Sequence, residues 1–174
     1  MTTPWKKIKE EPFKAGFRKL IKKTFEMPDQ KIADFDIKHE GPAVCILAIT
    51  TDQQVILAKQ FRPGPEKILL EMPGGMVDKG ENPEQAAKRE LLEETGYTGD
   101  FEFVGQSLDC AYSNMVRYNF VAKNCHKIQE QKLEDNEFVE IVEMSLTDFR
   151  KHLQSGELTD IESGYLCLDY LKLL

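Results

Sequence analysis

The chain has 174 residues, 41% of them hydrophobic and 30% charged, with a net charge of −7. That length suits one core, or one domain with a small appendage. The acidic balance argues against a nucleic-acid-binding footprint and against electrostatic docking on an anionic membrane.

No apolar run approaches the roughly 20 residues of a membrane span, and no signal-peptide core opens the chain. Cys45, Cys110, Cys125 and Cys167 are widely spaced, with no Cys-x-x-Cys and no nearby His pair. This points away from zinc and redox sites and towards reduced, mostly buried thiols in a cytoplasmic protein.

Residues 1–12 are polar and basic around Trp5, a residue expected to pack on the domain or on a partner subunit, with base stacking as the other reading. From Gly16 to Lys38 two arms flank the turn-forming Pro28-Asp29-Gln30. Ile32, Phe35 and Ile37 mark the second arm. In the first, Phe17, Leu20, Ile21 and Thr24 fit a helical period as well as a strand. A helix ending in Phe25-Glu26-Met27-Pro28 would have no C-cap. Gly41-Pro42 marks a boundary.

Ala43 to Thr50 is a continuous apolar run and predicts a buried central strand. After a turn at 51–54, Val55 to Arg62 pairs back as a hairpin, and Pro63-Gly64-Pro65 breaks it. Ile68 to Met72 is a short strand leading into Pro73-Gly74-Gly75.

The next stretch predicts a helix over about Pro83 to Thr95. Asn82 is its N-cap, Pro83 its first residue, Gln85 closes a capping box, and Gly96 stops it. Glu90, Glu93 and Glu94 fall at i, i+3 and i+4 on one face. Like charges so placed oppose the helix by roughly 0.2–0.5 kcal/mol per pair. Such a cluster is usually a solvated face. A hard cation bound by oxygen would also explain it, and Mg²⁺ or Mn²⁺ suits a stretch lacking His and Cys.

Beyond the helix, Phe101 to Leu108 and Met115 to Ala122 predict strands around the loop Asp109 to Asn114. Asn124 to Asp135 is polar and reads as a mobile loop, and Phe138 to Met144 alternates as a strand. Ser145 and Asp148 begin a short helix that Gly156 ends, and a last helix over roughly Glu162 to Leu173 carries Leu166, Tyr170 and Leu173 on one side. Strands around one amphipathic helix, followed by C-terminal helices, indicate an α/β or α+β sandwich.

The spacing from Gly75 to Tyr97 is specific: Gly75, five residues, Glu81, seven residues, Arg89-Glu90-Leu91, one residue, Glu93-Glu94, one residue, Gly96, then Tyr97 where an aliphatic is commoner. This resembles the Nudix box. Leu70-Glu71-Met72-Pro73-Gly74-Gly75 before it, and Lys59-Gln60-Phe61-Arg62 earlier, resemble the ADP-ribose and nucleoside-diphosphate-sugar pyrophosphatase branch. The similarity runs through nearly the whole chain. It implies a Nudix fold, a mixed β-sheet between helices, at 41–174. It also implies an N-terminal extension at 1–40 that holds a β-hairpin and helps to build a homodimer.

The resemblance further implies metal-dependent hydrolysis of the diphosphate of a nucleoside diphosphate sugar. Glu90, Glu93, Glu94 and the Gly74 carbonyl become metal ligands for Mg²⁺, with Mn²⁺ as substitute. Arg89 and Glu81 become orienting residues, against the plainer reading of a structural ion pair. A carboxylate on a downstream loop is expected to act as base: Glu137 first and Asp135 second, against a solvated acidic loop. Arg62 suits a bidentate phosphate contact, and Phe61 and Tyr112 are candidates for stacking on a base.

One departure matters. The loop after the box often carries proline or glycine in ADP-ribose hydrolases, and here it reads Tyr112-Ser113-Asn114-Met115. ADP-ribose is the preferred substrate, while GDP-mannose and UDP-sugars stay open. A nucleoside triphosphate pyrophosphatase and a non-catalytic nucleotide-sugar sensor are the competing readings. The lead-in to the box argues against the first, and the full set of box carboxylates against the second.

Overall fold

The computed structural model describes residues 5–15, 18–133 and 137–174. Gly16 and Phe17, assigned above to the first N-terminal arm, lie outside the described residues. The chain forms two compact units, Met1–Pro42 with Leu108–Val116, and Ala43–Ser107 with Arg117–Leu174.

The first unit is a three-stranded antiparallel sheet in the order β1 (Lys6–Ala15), β2 (Arg18–Glu26), β3 (Ile32–Lys38). The expected hairpin is β2–β3, turning through Pro28, Asp29 and Gln30, the last at φ 66°. Strand β1 is invisible to sequence patterning because its charged residues leave no apolar alternation to detect. It is held by main-chain pairing and by cross-strand contacts such as Lys6–Glu26. Trp5 packs on its own chain, 6.4 Å from Phe25 and 5.6 Å from Phe35 between ring centroids. The 109–114 loop is bonded to the end of β3: Lys38 N–H donates to Tyr112 O, and Asn114 N–H to Lys38 O.

The second unit holds a mixed sheet of β4 (Ala43–Thr50), β5 (Gln54–Arg62), β6 (Lys67–Glu71), β7 (Tyr97–Leu108), β8 (Val116–Lys127) and β9 (Glu140–Ser145). The order is β6-β5-β4-β8-β7, with β9 also on β5 and β4 parallel to β8. All eight residues of β4 are buried. Alternate side chains serve two layers. Val44, Ile46 and Ala48 meet Ala86, Ala87 and Leu91 of α1 (Pro83–Thr95). Cys45, Leu47 and Ile49 join the core of Phe149 and Leu153 from α2 (Leu146–Ser155) and Cys167 and Leu168 from α3 (Ile161–Tyr170). The sheet is therefore sandwiched between α1 and the α2–α3 pair, the layering of an α/β sandwich. No helix among the described residues is long and apolar enough to cross a membrane.

Several features differ from the sequence reading, including β9, which begins at Glu140 and not at Phe138. Strand β7 begins at Tyr97, directly after Gly96. Strand β8 does not stop at Ala122 but runs to Lys127, because one extra residue bulges out near Asn124, which sits at φ 54°. The first four residues of the expected 124–135 loop are thus strand. In α3 the side carrying Leu166 and Tyr170 is the exposed one, and Leu173 beyond the helix is exposed too. The buried side is Ser163, Gly164, Cys167 and Leu168, where Gly164 leaves room for the Leu153 side chain.

Candidate active site

The site is built on α1. Its capping box forms as the sequence implies: Asn82 Oδ1 accepts from Gln85 N–H, and Gln85 Oε1 accepts from Asn82 N–H, both at 2.9 Å. At the other end Gly96 adopts φ 78° and donates to Leu92 O at 2.9 Å. The helix starts and stops where it must for its inner turn to meet the Pro73-Gly74-Gly75 lead-in. That segment is anchored on β4, since Ile46 N–H donates to Pro73 O and Val44 N–H to Gly75 O. Space requires glycine at 74, where a Cβ would enter the Val44 backbone carbonyl, while a Cβ at Gly75 would displace the Glu90 carboxylate.

Glu94 is buried, and its Oε2 accepts a hydrogen bond from Gly74 N–H at 3.0 Å. Burial pushes its carboxyl up to about 8, with Glu90 and Glu137 adding to the rise and Gly74 and Arg62 opposing it. Glu90 is raised too, chiefly by burial and further by Glu93 and Glu137, while Arg89 pulls the other way.

Arg89 joins the carboxylates. It binds Glu81 through two parallel hydrogen bonds of 3.0 Å, reaches Glu90 at 2.9 Å and Glu93 at 3.2 Å, and caps Met76 O at 2.9 Å. The Arg89 hydrogen bond holds Glu81 below its usual range, and the same contacts hold the guanidinium firmly charged.

Among the described residues no three His, Cys, Asp or Glu side chains already gather round one point. Glu90 and Glu93 lean on Arg89, so collecting them with Glu94 about an ion requires those side chains to turn. The donor chemistry nevertheless fits a hard divalent cation. The ligand atoms are all oxygen, and two of the carboxyls are raised by like charge and burial that a cation would offset.

The remaining candidates separate. Glu137 is close enough to shift both Glu90 and Glu94, and it lines a cavity of about 560 Å³ together with Lys59, Phe61, Ile68 and Phe138. Asp135 lies outside the described residues, as do Glu134 and Asn136. Phe61 is exposed at that cavity. Arg62 is tied through Nε to the buried Glu71, whose other oxygen accepts from Thr159. Its guanidinium is thereby committed in part to a protein carboxylate. Tyr112 belongs to the first unit, in a cavity with Trp5, Phe25 and Phe35.

Sequence reasoning missed the clamp on the C-terminal end of α1. Ile128 N–H donates to Gly96 O, Lys132 N–H to Glu93 O, and Gln131 Nε2 to Glu94 O at 2.6 Å and Val139 O at 3.2 Å. Tyr97 adds its hydroxyl to Glu143 of β9 at 2.6 Å. Nothing local in the polar 128–132 segment signals this, because its partners on α1 are more than thirty residues away.

The catalytic-type helix, the glycine lead-in and the sandwiched sheet define a Nudix hydrolase. The NUDIX domain family profile matches residues 39–161, and the chain belongs to this family. It is 35% identical to the ADP-ribose pyrophosphatase of Bacillus subtilis (strain 168), over 95% of this chain and 90% of that protein. It is 29% identical to the methanol dehydrogenase activator of Bacillus methanolicus, over 94% and 90% respectively. A crystal structure of an ADP compounds hydrolase superposes with a TM-score of 0.81 at 20% identity, covering 99% of this chain and 96% of that one. At that identity the match speaks for the fold.

Proposed function

We propose that the protein hydrolyses the pyrophosphate bond of a nucleoside diphosphate sugar, with ADP-ribose the preferred substrate, giving AMP and ribose 5-phosphate. The observation that carries this reading is the buried Glu94 on the Gly74 N–H, within charge range of both Glu90 and Glu137. The relative with 35% identity over 95% of the chain supports the choice of ADP-ribose. The second relative bears a name of another kind and is less similar.

In this reading Glu90, Glu93, Glu94 and the Gly74 carbonyl hold Mg²⁺, or Mn²⁺ in its place. The Gly74 carbonyl suits this role because its neighbours' carbonyls, Pro73 and Gly75, are both turned to β4. An ion held there would neutralise the diphosphate charge and polarise its oxygens. Arg89, held by Glu81, keeps Glu90 and Glu93 beside Glu94, from where they turn to the ion. Glu137 takes the proton of the attacking water as its oxygen bonds to phosphorus; the P–O bond on the far side breaks, and the bridging oxygen leaves with the other phosphate. Asp135 is the second choice as base. Phe61 offers an apolar wall to the substrate beside Glu137. Arg62 contacts a phosphate only with the part of its guanidinium not engaged by Glu71. Tyr112 is retained as a stacking candidate, and the N-terminal unit as a homodimerisation element.

The test is phosphate release through a coupled phosphatase from ADP-ribose, GDP-mannose, UDP-glucose and deoxynucleoside triphosphates with Mg²⁺. Selective cleavage of ADP-ribose is expected. Selective cleavage of another sugar nucleotide would replace the base and sugar while keeping the class. Cleavage of triphosphates alone would overturn the class.

A further inference from the structure

Gln131 stands between two parts of the machinery that are far apart in the chain. Its amide nitrogen carries two donors. They reach the backbone carbonyl of Glu94, at the end of α1, and that of Val139, two residues after Glu137. One side chain therefore spans from the metal-ligand helix to the segment that carries the base. We infer that Gln131 is a positioning residue, a strut that sets Glu137 against the carboxylates of α1. The inference rests on the reading of Glu137 as the base.

Other bonds hold the fold without it. Lys132 N–H stays on Glu93 O and Ile128 N–H on Gly96 O, and β9 remains paired with β5 from Gln54 to Lys59. Loss of the Gln131 amide removes the tie between Glu94 O and Val139 O, two residues after Glu137, while Lys132 and β9 stay anchored. A side chain acting only to stabilise the fold would change melting temperature and leave turnover per folded molecule alone. A strut acting through Glu137 would change turnover.

The experiment compares kcat and KM for ADP-ribose in Gln131→Leu, Gln131→Asn, Glu137→Gln and the Gln131→Leu/Glu137→Gln double variant, with circular dichroism on each. Displacing a reacting group by about 1 Å can cost up to about 100-fold, so Gln131→Leu is expected to lower kcat about tenfold with KM within about threefold. Gln131→Asn keeps the amide but is one methylene too short to span both carbonyls, and it should behave alike. Should Gln131→Leu not fold, Gln131→Asn carries the test.

In the Glu137→Gln background, Gln131→Leu should change kcat by less than about twofold, because residues acting through one group are not additive. Unchanged kcat in the Gln131 variants, or the same loss in both backgrounds, would overturn the strut while leaving Glu137 as base. Wild-type kcat in Glu137→Gln would overturn the base itself and the strut with it.

Discussion

Glu94 is a carboxyl whose folded-state titration lies at about 8, against an ordinary 4.5. A group raised on folding favours the folded state fully below its unfolded value, and that advantage is lost as pH rises through the folded value. For metal-free protein, stability from this residue should therefore decline between about pH 4.5 and pH 8, by an amount on the order of a few kcal/mol. Glu94→Gln, which cannot ionise, should show a flatter melting temperature against pH and a higher one near pH 8. The same variant should lose turnover by at least about 100-fold, as expected for loss of a group that stabilises developing charge. Thermal melts from pH 4 to 9, paired with the ADP-ribose assay, check both. Full activity in a well-folded Glu94→Gln would remove Glu94 from the metal site.

At the scale of elements, α1 depends on its two ends and on the glycines that face it. Asn82→Ala breaks the capping box and should cost about 1 kcal/mol, which for a protein of this size lowers melting temperature by about 2–4 °C without touching the site. Gly75→Ala drives a methyl into the Glu90 carboxylate. It should lower kcat sharply while circular dichroism stays native, because the side chain displaced is a site residue and not a core one.

The helix was legible in sequence down to its capping box and its stop glycine, since those interactions lie within four residues. Strand β1 was not legible: its charged faces carry no alternation, and only pairing with β2 makes it a strand. The end of β8 differs for a related reason. Asn124 looks like a loop residue, and a bulge against β4 turns it into a continuation.

For the whole molecule, a divalent cation should act through the carboxylates that repel one another in its absence. Mg²⁺ at millimolar concentration should raise the wild-type melting temperature more at pH 8 than at pH 6, since ligands must be deprotonated to bind. The rise should vanish in Glu94→Gln. Differential scanning fluorimetry with and without EDTA measures it, and an equal rise in both proteins would assign the effect to another site.

The sequence by itself determined the family, the sandwich fold, the box helix and the carboxylates on its inner face. Each of these rests on short-range spacing and on runs of apolar residues. Only tertiary structure decided which candidates meet. Arg62 is bound by the buried Glu71 nine residues on in the chain, a pairing that depends on β5 and β6 lying side by side. Glu137 comes within charge range of α1, and the segment at 128–132 meets that helix's last carbonyls. The exposed side of α3 was decided by where Gly164 lets Leu153 enter. These outcomes depend on long-range packing, which no local pattern of residue types encodes.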